Sequence, residues 1–149
     1  MGFICHNFDS KKKISLDMKD IVEILEQHIG VALQYKELEY TDKCRYMEVE
    51  NPKYFSDGLG ILFNEHFSVE ILHPFNDFSY LRLIFIYAFA NYLSKNGGGV
   101  YTDVMLTEYE IVENADMKEF FDYLKFGDMY YEIARRPYHT AKEMPGFKA

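Results

Sequence analysis

The chain has 149 residues, of which 48% are hydrophobic and 17% aromatic, and its 24 acidic and 16 basic side chains give a net charge of −8. A chain of this length can bury the core of one globular domain, and its 13 Phe and 13 Tyr exclude intrinsic disorder as the main state. Two cysteines are too few for a disulfide-dense scaffold, which favours a reducing compartment.

The predicted elements begin with an apolar strand at residues 2–8. An amphipathic helix follows, which Ser15 or Asp17 can cap and which Gly30 ends. Apolar runs between turn residues then predict four strands, over residues 31–40 with a bulge or bend, 45–49, 59–63 and 67–72. The spacing of the last two strands predicts a hairpin.

The longest predicted helix covers residues 78–95, is apolar on every side and ends at the glycines 97–99. Its apolar stretch is shorter than a membrane span and contains Arg82, so we expect it in the protein core. Three further elements are predicted, namely one or two strands over 100–111, a short helix over 115–124, and a strand or helical turn over 129–134.

This order of elements predicts the fold class. Consecutive strands without intervening helices favour an antiparallel or mixed sheet, with the helices packed mainly on one face. We therefore expect an α+β fold. A single domain over residues 1–149 is predicted, with an irregular tail from about residue 135 because prolines and a glycine follow it.

The sequence contains no recognisable catalytic or metal-binding motif. Cys5 and His6 are adjacent and would point to opposite faces of a strand, while His66 and His73 lack partners at metal-ligand spacing. Cys44 has no family signature around it. The glycine run follows a helix rather than preceding one, which favours helix termination over a phosphate-binding loop. We predict no catalytic residue, no metal and no cofactor.

The acidic residues are concentrated in two blocks. Residues 37–70 contain eight acids and three bases, and residues 101–125 contain seven acids and two bases. Negative charge opposes direct binding of nucleic acid, which relies on Lys and Arg. If the blocks converge in the fold, they would attract a cationic partner; the alternative is that they only keep the protein soluble.

A resemblance to a known family is carried by residues 78–103. This segment is an apolar helix followed by a glycine-rich turn and a strand, Asn96-Gly97-Gly98-Gly99 and Val100-Tyr101-Thr102-Asp103. It resembles a segment that recurs in small bacterial immunity proteins, the antitoxins of contact-dependent inhibition and related polymorphic toxin systems. The resemblance implies a cytoplasmic, non-enzymatic protein that binds a cognate toxin domain, frequently a cationic nuclease, and occludes its active site or substrate groove.

The absence of a visible secretory signal at the N-terminus agrees with a cytoplasmic location.

The charge map, and not the resemblance, supplies the candidate partner-binding residues. Acidic side chains would provide charge complementarity, and neighbouring tyrosines would anchor the partner. The candidates are Glu37, Glu39, Tyr46, Glu48, Glu50, Tyr54, Tyr101, Asp103, Glu108, Tyr109 and Glu110.

Two other interpretations remain open at the level of sequence. A small α+β enzyme or ligand-binding domain would have a pocket between the sheet and the long helix, lined by Tyr and by His66 or His73. A structural adaptor would associate with itself through an apolar strand edge. Neither nucleic acid nor a membrane is expected as a partner, and the sequence leaves the oligomeric state open.

Overall fold

A computed structural model of the protein describes residues 3–38, 44–50, 59–64, 68–74, 80–103, 105–125 and 127–136. Within these residues the elements are, in chain order, β1 (Phe3–Ser10), α1 (Met18–Ile29), β2 (Gln34–Leu38), β3 (Arg45–Glu50), β4 (Leu59–Phe63), β5 (Ser68–Pro74), α2 (Tyr80–Lys95), β6 (Gly99–Thr102), β7 (Glu108–Ile111), α3 (Met117–Tyr123) and α4 (Asp128–Arg135).

The strands form one sheet in the order β2-β3-β4-β5-β1-β6-β7, and each described pairing is antiparallel. The α+β class is therefore confirmed, with an antiparallel rather than a mixed sheet. The predicted hairpin of β4 and β5 is also confirmed, with Ile61 opposite Ile71. Helix α2 connects β5 to β6, which lie on either side of β1. As a result, β2 and β7 are the two edge strands.

Helix α1 begins and ends where local chemistry dictates. The Asp17 side chain caps it by accepting a hydrogen bond from the Asp20 backbone N–H at 2.9 Å. The Asp20 side chain in turn accepts a hydrogen bond from the Asp17 backbone N–H at 3.0 Å. Gly30 ends the helix in the left-handed conformation, with φ of 80°. One helical face is buried, as the apolar spacing predicts: Met18, Ile21, Val22, Leu25 and Ile29.

Helix α2 lies in the core and ends at the glycine run. The Gly98 N–H donates to the Leu93 carbonyl at 2.7 Å, and φ of 88° at Gly98 favours glycine. Gly99 then pairs with Ser10 in the register of β6 against β1. Among the described residues, no helix has the length and apolar character that a membrane crossing requires.

Alternating positions of the strands supply the sheet side of the core. Phe8 packs against Phe89 of α2 with ring centroids 5.8 Å apart, and Tyr101 packs against Phe120 of α3 at 5.9 Å. Further buried side chains at such positions are Met47, Val49, Ile61, Phe63, Val69 and Ile111. The intervening strand positions whose side chains the structure describes are partly or fully exposed, except Gly60.

Several predicted strand boundaries are corrected. Strand β1 continues to Ser10 rather than ending at residue 8, because it pairs with β6 up to that residue. Strand β2 begins at Gln34 rather than residue 31, since Leu33 is buried and its N–H donates to Glu26 Oε2 at 2.8 Å. The register of β2 against β3 is continuous, so the expected bulge is absent from the described part of β2.

In the C-terminal third the structure selects between the predicted alternatives. Residues 100–111 form two separate strands, β6 and β7. The element predicted as a strand or helical turn over 129–134 is helix α4, which ends at Arg135. Its residues Ile133 and Ala134 are buried, which explains why the helix persists. Residues 137–149 lie outside the described part of the chain.

Candidate partner-binding surface

The candidate partner-binding residues of the two acidic blocks lie toward opposite edges of the sheet. The described candidates of the first block are in β2 and β3, and those of the second block are in or beside β6 and β7. Six strand spacings separate the edge strands β2 and β7, which corresponds to about 29 Å along the sheet. The candidates on β2 and β3 therefore do not converge on one patch with those on β7.

Charge is largely compensated at the β2–β3 edge. Glu37 accepts hydrogen bonds from Arg45 Nη2 at 2.6 Å and Nε at 2.9 Å. Glu48 lies opposite Lys36 in the register, and the Tyr46 hydroxyl donates to it at 3.4 Å. Glu50 is exposed. The other two candidates of this block, Glu39 and Tyr54, lie outside the described residues.

Tyr101 is a core residue and not a surface anchor, which corrects its predicted role. It is 2% exposed, and its hydroxyl shares a hydrogen bond of 2.7 Å with Nδ1 of the buried His6. Burial raises the pKa of the Tyr101 hydroxyl, which therefore stays protonated. Its position opposite Phe8 in the register places it on the buried side of β6. Because successive side chains of a strand point to opposite faces, the register of β6 alone decides whether Tyr101 is buried or exposed.

Asp103 shapes the turn between β6 and β7. Its Oδ1 accepts hydrogen bonds from the backbone N–H groups of Met105 and Thr107, both at 2.9 Å. Beyond it, Met105 and Leu106 are 80% and 82% exposed. Asp103 is therefore a structural turn residue that brings two apolar side chains to an exposed hairpin tip.

A groove of about 330 Å³ lies between β7 and α3. Its lining combines apolar or aromatic side chains with acids: Ile111, Val112, Ala115, Phe120, Tyr123, Glu110, Asp116 and Glu119. Val112 and Tyr123 are 51% and 64% exposed. Of these residues, only Glu110 was a candidate from sequence. The signal available in the sequence was the presence of apolar and aromatic residues among the acids of residues 110–123.

The groove retains negative charge after its internal ion pairs are counted. Lys11 Nζ contacts Glu110 Oε1 at 2.6 Å, and this hydrogen bond lowers the pKa of Glu110. Asp116 Oδ1 caps α3 by accepting from the Lys118 N–H at 2.9 Å. Glu119 is exposed and forms no ion pair with a described residue. Its carboxylate is thus available to a partner.

The remaining two candidates, Glu108 and Tyr109, lie in β7. Tyr109 is half-buried, stacked on Tyr101 with ring centroids 6.1 Å apart and packed edge-on against Tyr123 at 4.8 Å. Glu108 is exposed at the start of the edge strand.

Comparisons with models of protein families, with curated proteins and with solved structures found no match.

The two other interpretations gain no support from the described residues. Both edge strands carry charges, in contrast to the apolar edge of a self-associating adaptor. Of the expected pocket residues, His66 and the side chain of His73 lie outside the described part. No described group of three His, Cys, Asp or Glu is arranged to hold a metal. Burial, together with Glu70, raises the pKa of the Cys44 thiol, which disfavours a thiolate nucleophile.

His28 of α1 forms a hydrogen bond to α4, which makes the free energy of unfolding depend on pH. Its Nε2–H donates to the Ala134 carbonyl at 2.6 Å, and its ring stacks on Tyr87 with centroids 4.7 Å apart. Burial lowers the pKa of His28, the Ala134 bond opposes this, and Lys95 adds to the lowering. The unfolded chain therefore binds a proton at His28 more readily than the folded chain does. The contribution of neutral His28 to the free energy of unfolding is complete above about pH 6.5 and is lost as pH falls through the lower pKa of the folded state.

We expect urea unfolding free energies to fall more steeply between pH 7.5 and pH 5 for the parent protein than for His28→Gln. Glutamine does not titrate and can still donate a hydrogen bond to Ala134. The other titrating groups are common to both proteins, so the difference between the two curves isolates His28. Parallel curves would contradict this assignment.

Proposed function

We propose that this protein is a cytoplasmic immunity protein, an antitoxin that binds a cognate cationic toxin domain, such as a nuclease, and occludes its active site. The observation that supports this proposal is the excess of acidic side chains on the surface formed by β7 and α3. In residues 101–125, seven acids stand against Lys118 and Lys125. Lys118 is itself shared between Asp122 and Asp128, at 3.2 Å from each.

This surface combines two properties that tight binding requires. Its acids would raise the rate of encounter with a basic protein, because complementary potentials steer association. Exposed apolar side chains beside them would supply the desolvated contacts that hold the complex together. These side chains are Met105, Leu106, Val112 and Tyr123. A surface that served solubility alone would not need them.

We assign the toxin contact to the β7–α3 edge and not to the β2–β3 edge. A standard interface covers about 800 Å² of each partner, a patch of roughly 16 Å radius. Such a patch centred on β7 does not extend the ~29 Å to β2. The contacting residues would therefore include Glu108, Tyr109 and Glu110, while Glu37, Tyr46, Glu48 and Glu50 would lie outside the interface.

The test is affinity capture from the native cell lysate with the tagged full chain, followed by co-expression of the captured protein with and without the chain. We expect one basic protein that arrests growth alone and is neutralised by this chain. Glu113 is an exposed acid in the turn between β7 and α3, and Glu113→Lys/Glu119→Lys should reduce capture of the toxin at least about tenfold, since two charges are reversed at the proposed interface. The matched control is Glu48→Lys/Glu50→Lys at the opposite edge, which should capture it normally.

Salt provides a second readout of the same complex. Raising the salt concentration should slow association but leave a bound fraction, because apolar contacts are not screened. Recovery of no growth-arresting protein would contradict the proposal. Equal loss of capture in both charge-reversed variants would contradict the assignment to the β7–α3 edge.

A further inference from the structure

The groove between β7 and α3 has the form of a receptor for one cationic side chain. Glu119 and Tyr123 are four residues apart on α3, which places them along one stripe of the helix, and Asp116 is the residue that caps this helix. All three line the groove, with Val112 and Ala115 completing its apolar part. Two carboxylates and an exposed aromatic ring thus border a partly apolar groove.

We infer that this groove binds the guanidinium group of an arginine presented by the protein partner. A guanidinium is planar, stacks on aromatic faces and donates hydrogen bonds to carboxylates, so it can use Tyr123 and Glu119 together. Lysine carries a compact and strongly hydrated charge that fits a partly apolar groove less well. The edge-on contact of Tyr123 with Tyr109 supports the ring in position while leaving it largely exposed.

The neighbouring cations of the protein do not fill this role. Lys11 is engaged by Glu110, and Lys118 points its ammonium to Asp122 and Asp128. Neither has a described contact with Glu119. The inference depends on the proposed function only for the identity of the protein that carries the arginine.

Titration of the ¹⁵N-labelled full chain with acetyl-Gly-Arg-Gly-amide tests the inference directly. We expect saturable shifts of the amide signals of residues 112–123, with a dissociation constant on the order of a millimolar, as befits one side chain. The citrulline peptide has nearly the same shape without the charge, and should bind at least about fivefold more weakly. The lysine peptide should also bind more weakly than the arginine peptide.

Variants of the chain locate the site. Glu119→Gln and Tyr123→Ala should each weaken binding of the arginine peptide about threefold or more, because each variant removes one side of the receptor. Glu48→Gln, an exposed acid at the far edge, should bind it normally. Equal binding of the citrulline or lysine peptide, shifts centred elsewhere, or equal weakening by Glu48→Gln would overturn the inference.

The same reagents separate this inference from the proposed function. If a toxin is captured and its binding is unchanged by Tyr123→Ala and Glu119→Gln, the arginine receptor is overturned while the antitoxin role stands. If the arginine peptide binds as expected and no toxin is captured, the receptor is supported while the antitoxin role fails.

Discussion

Replacing Tyr101 by alanine is expected to lower the free energy of unfolding by about 4 kcal/mol. The ring is enclosed by Phe8 and Phe120, with centroids 5.0 Å and 5.9 Å away, and stacks on Tyr109 at 6.1 Å. Truncation would remove these contacts, leave a cavity and delete the hydrogen bond to His6. Urea unfolding followed by circular dichroism measures the loss.

Two companion variants separate the contributions. Tyr101→Phe removes only the hydroxyl and its 2.7 Å bond to His6, so we expect a loss of about 1–2 kcal/mol. Tyr123→Ala makes the same truncation at a largely exposed ring and should cost less than about 1 kcal/mol. A Tyr101→Ala protein as stable as Tyr123→Ala would be inconsistent with a buried Tyr101.

Gly99→Ala is expected to lower the free energy of unfolding by about 3 kcal/mol. A Cβ at this position would overlap the backbone carbonyl oxygen of Asp9 and lie 2.9 Å from Leu93 Cδ1. The Asp9 oxygen belongs to β1, which is paired on both sides, so it cannot move without disturbing the sheet. The substitution should therefore act on the β1–β6 junction, and hydrogen exchange of the β6 amides should accelerate.

Gly127→Ala is the matched control for this substitution. No heavy atom lies within 4 Å of the Cβ that it would add, and φ of −72° suits alanine. Because Gly127 is the N-cap of α4, where alanine is less favourable than glycine, we expect a loss of no more than about 1 kcal/mol. Similar losses in the two glycine variants would show that the sheet absorbs the added methyl group at Gly99.

The sequence by itself determined the features that depend on near neighbours. Asp17 and Gly30 delimit α1 because a cap and a left-handed residue act within one helical turn. The glycine run after α2 and the β4–β5 hairpin are local in the same sense. The α+β class follows from the order of these elements. The sequence left residues 129–134 open between a strand and a helical turn because so short a pattern fits both, and burial of Ile133 and Ala134 decides between them.

Only the tertiary structure decided where the charges and tyrosines lie. Tyr101 and Tyr109 share similar acidic surroundings in sequence, yet the first is in the core and the second is half-exposed. The acidic candidates on the β2–β3 pair are distant from those on β7 because β4, β5, β1 and β6 lie between them. The groove that brings Val112 to Tyr123 exists only once α3 folds back beside β7. Strand order and helix docking depend on contacts distant in sequence, so composition could indicate an acidic, tyrosine-rich surface but not its position.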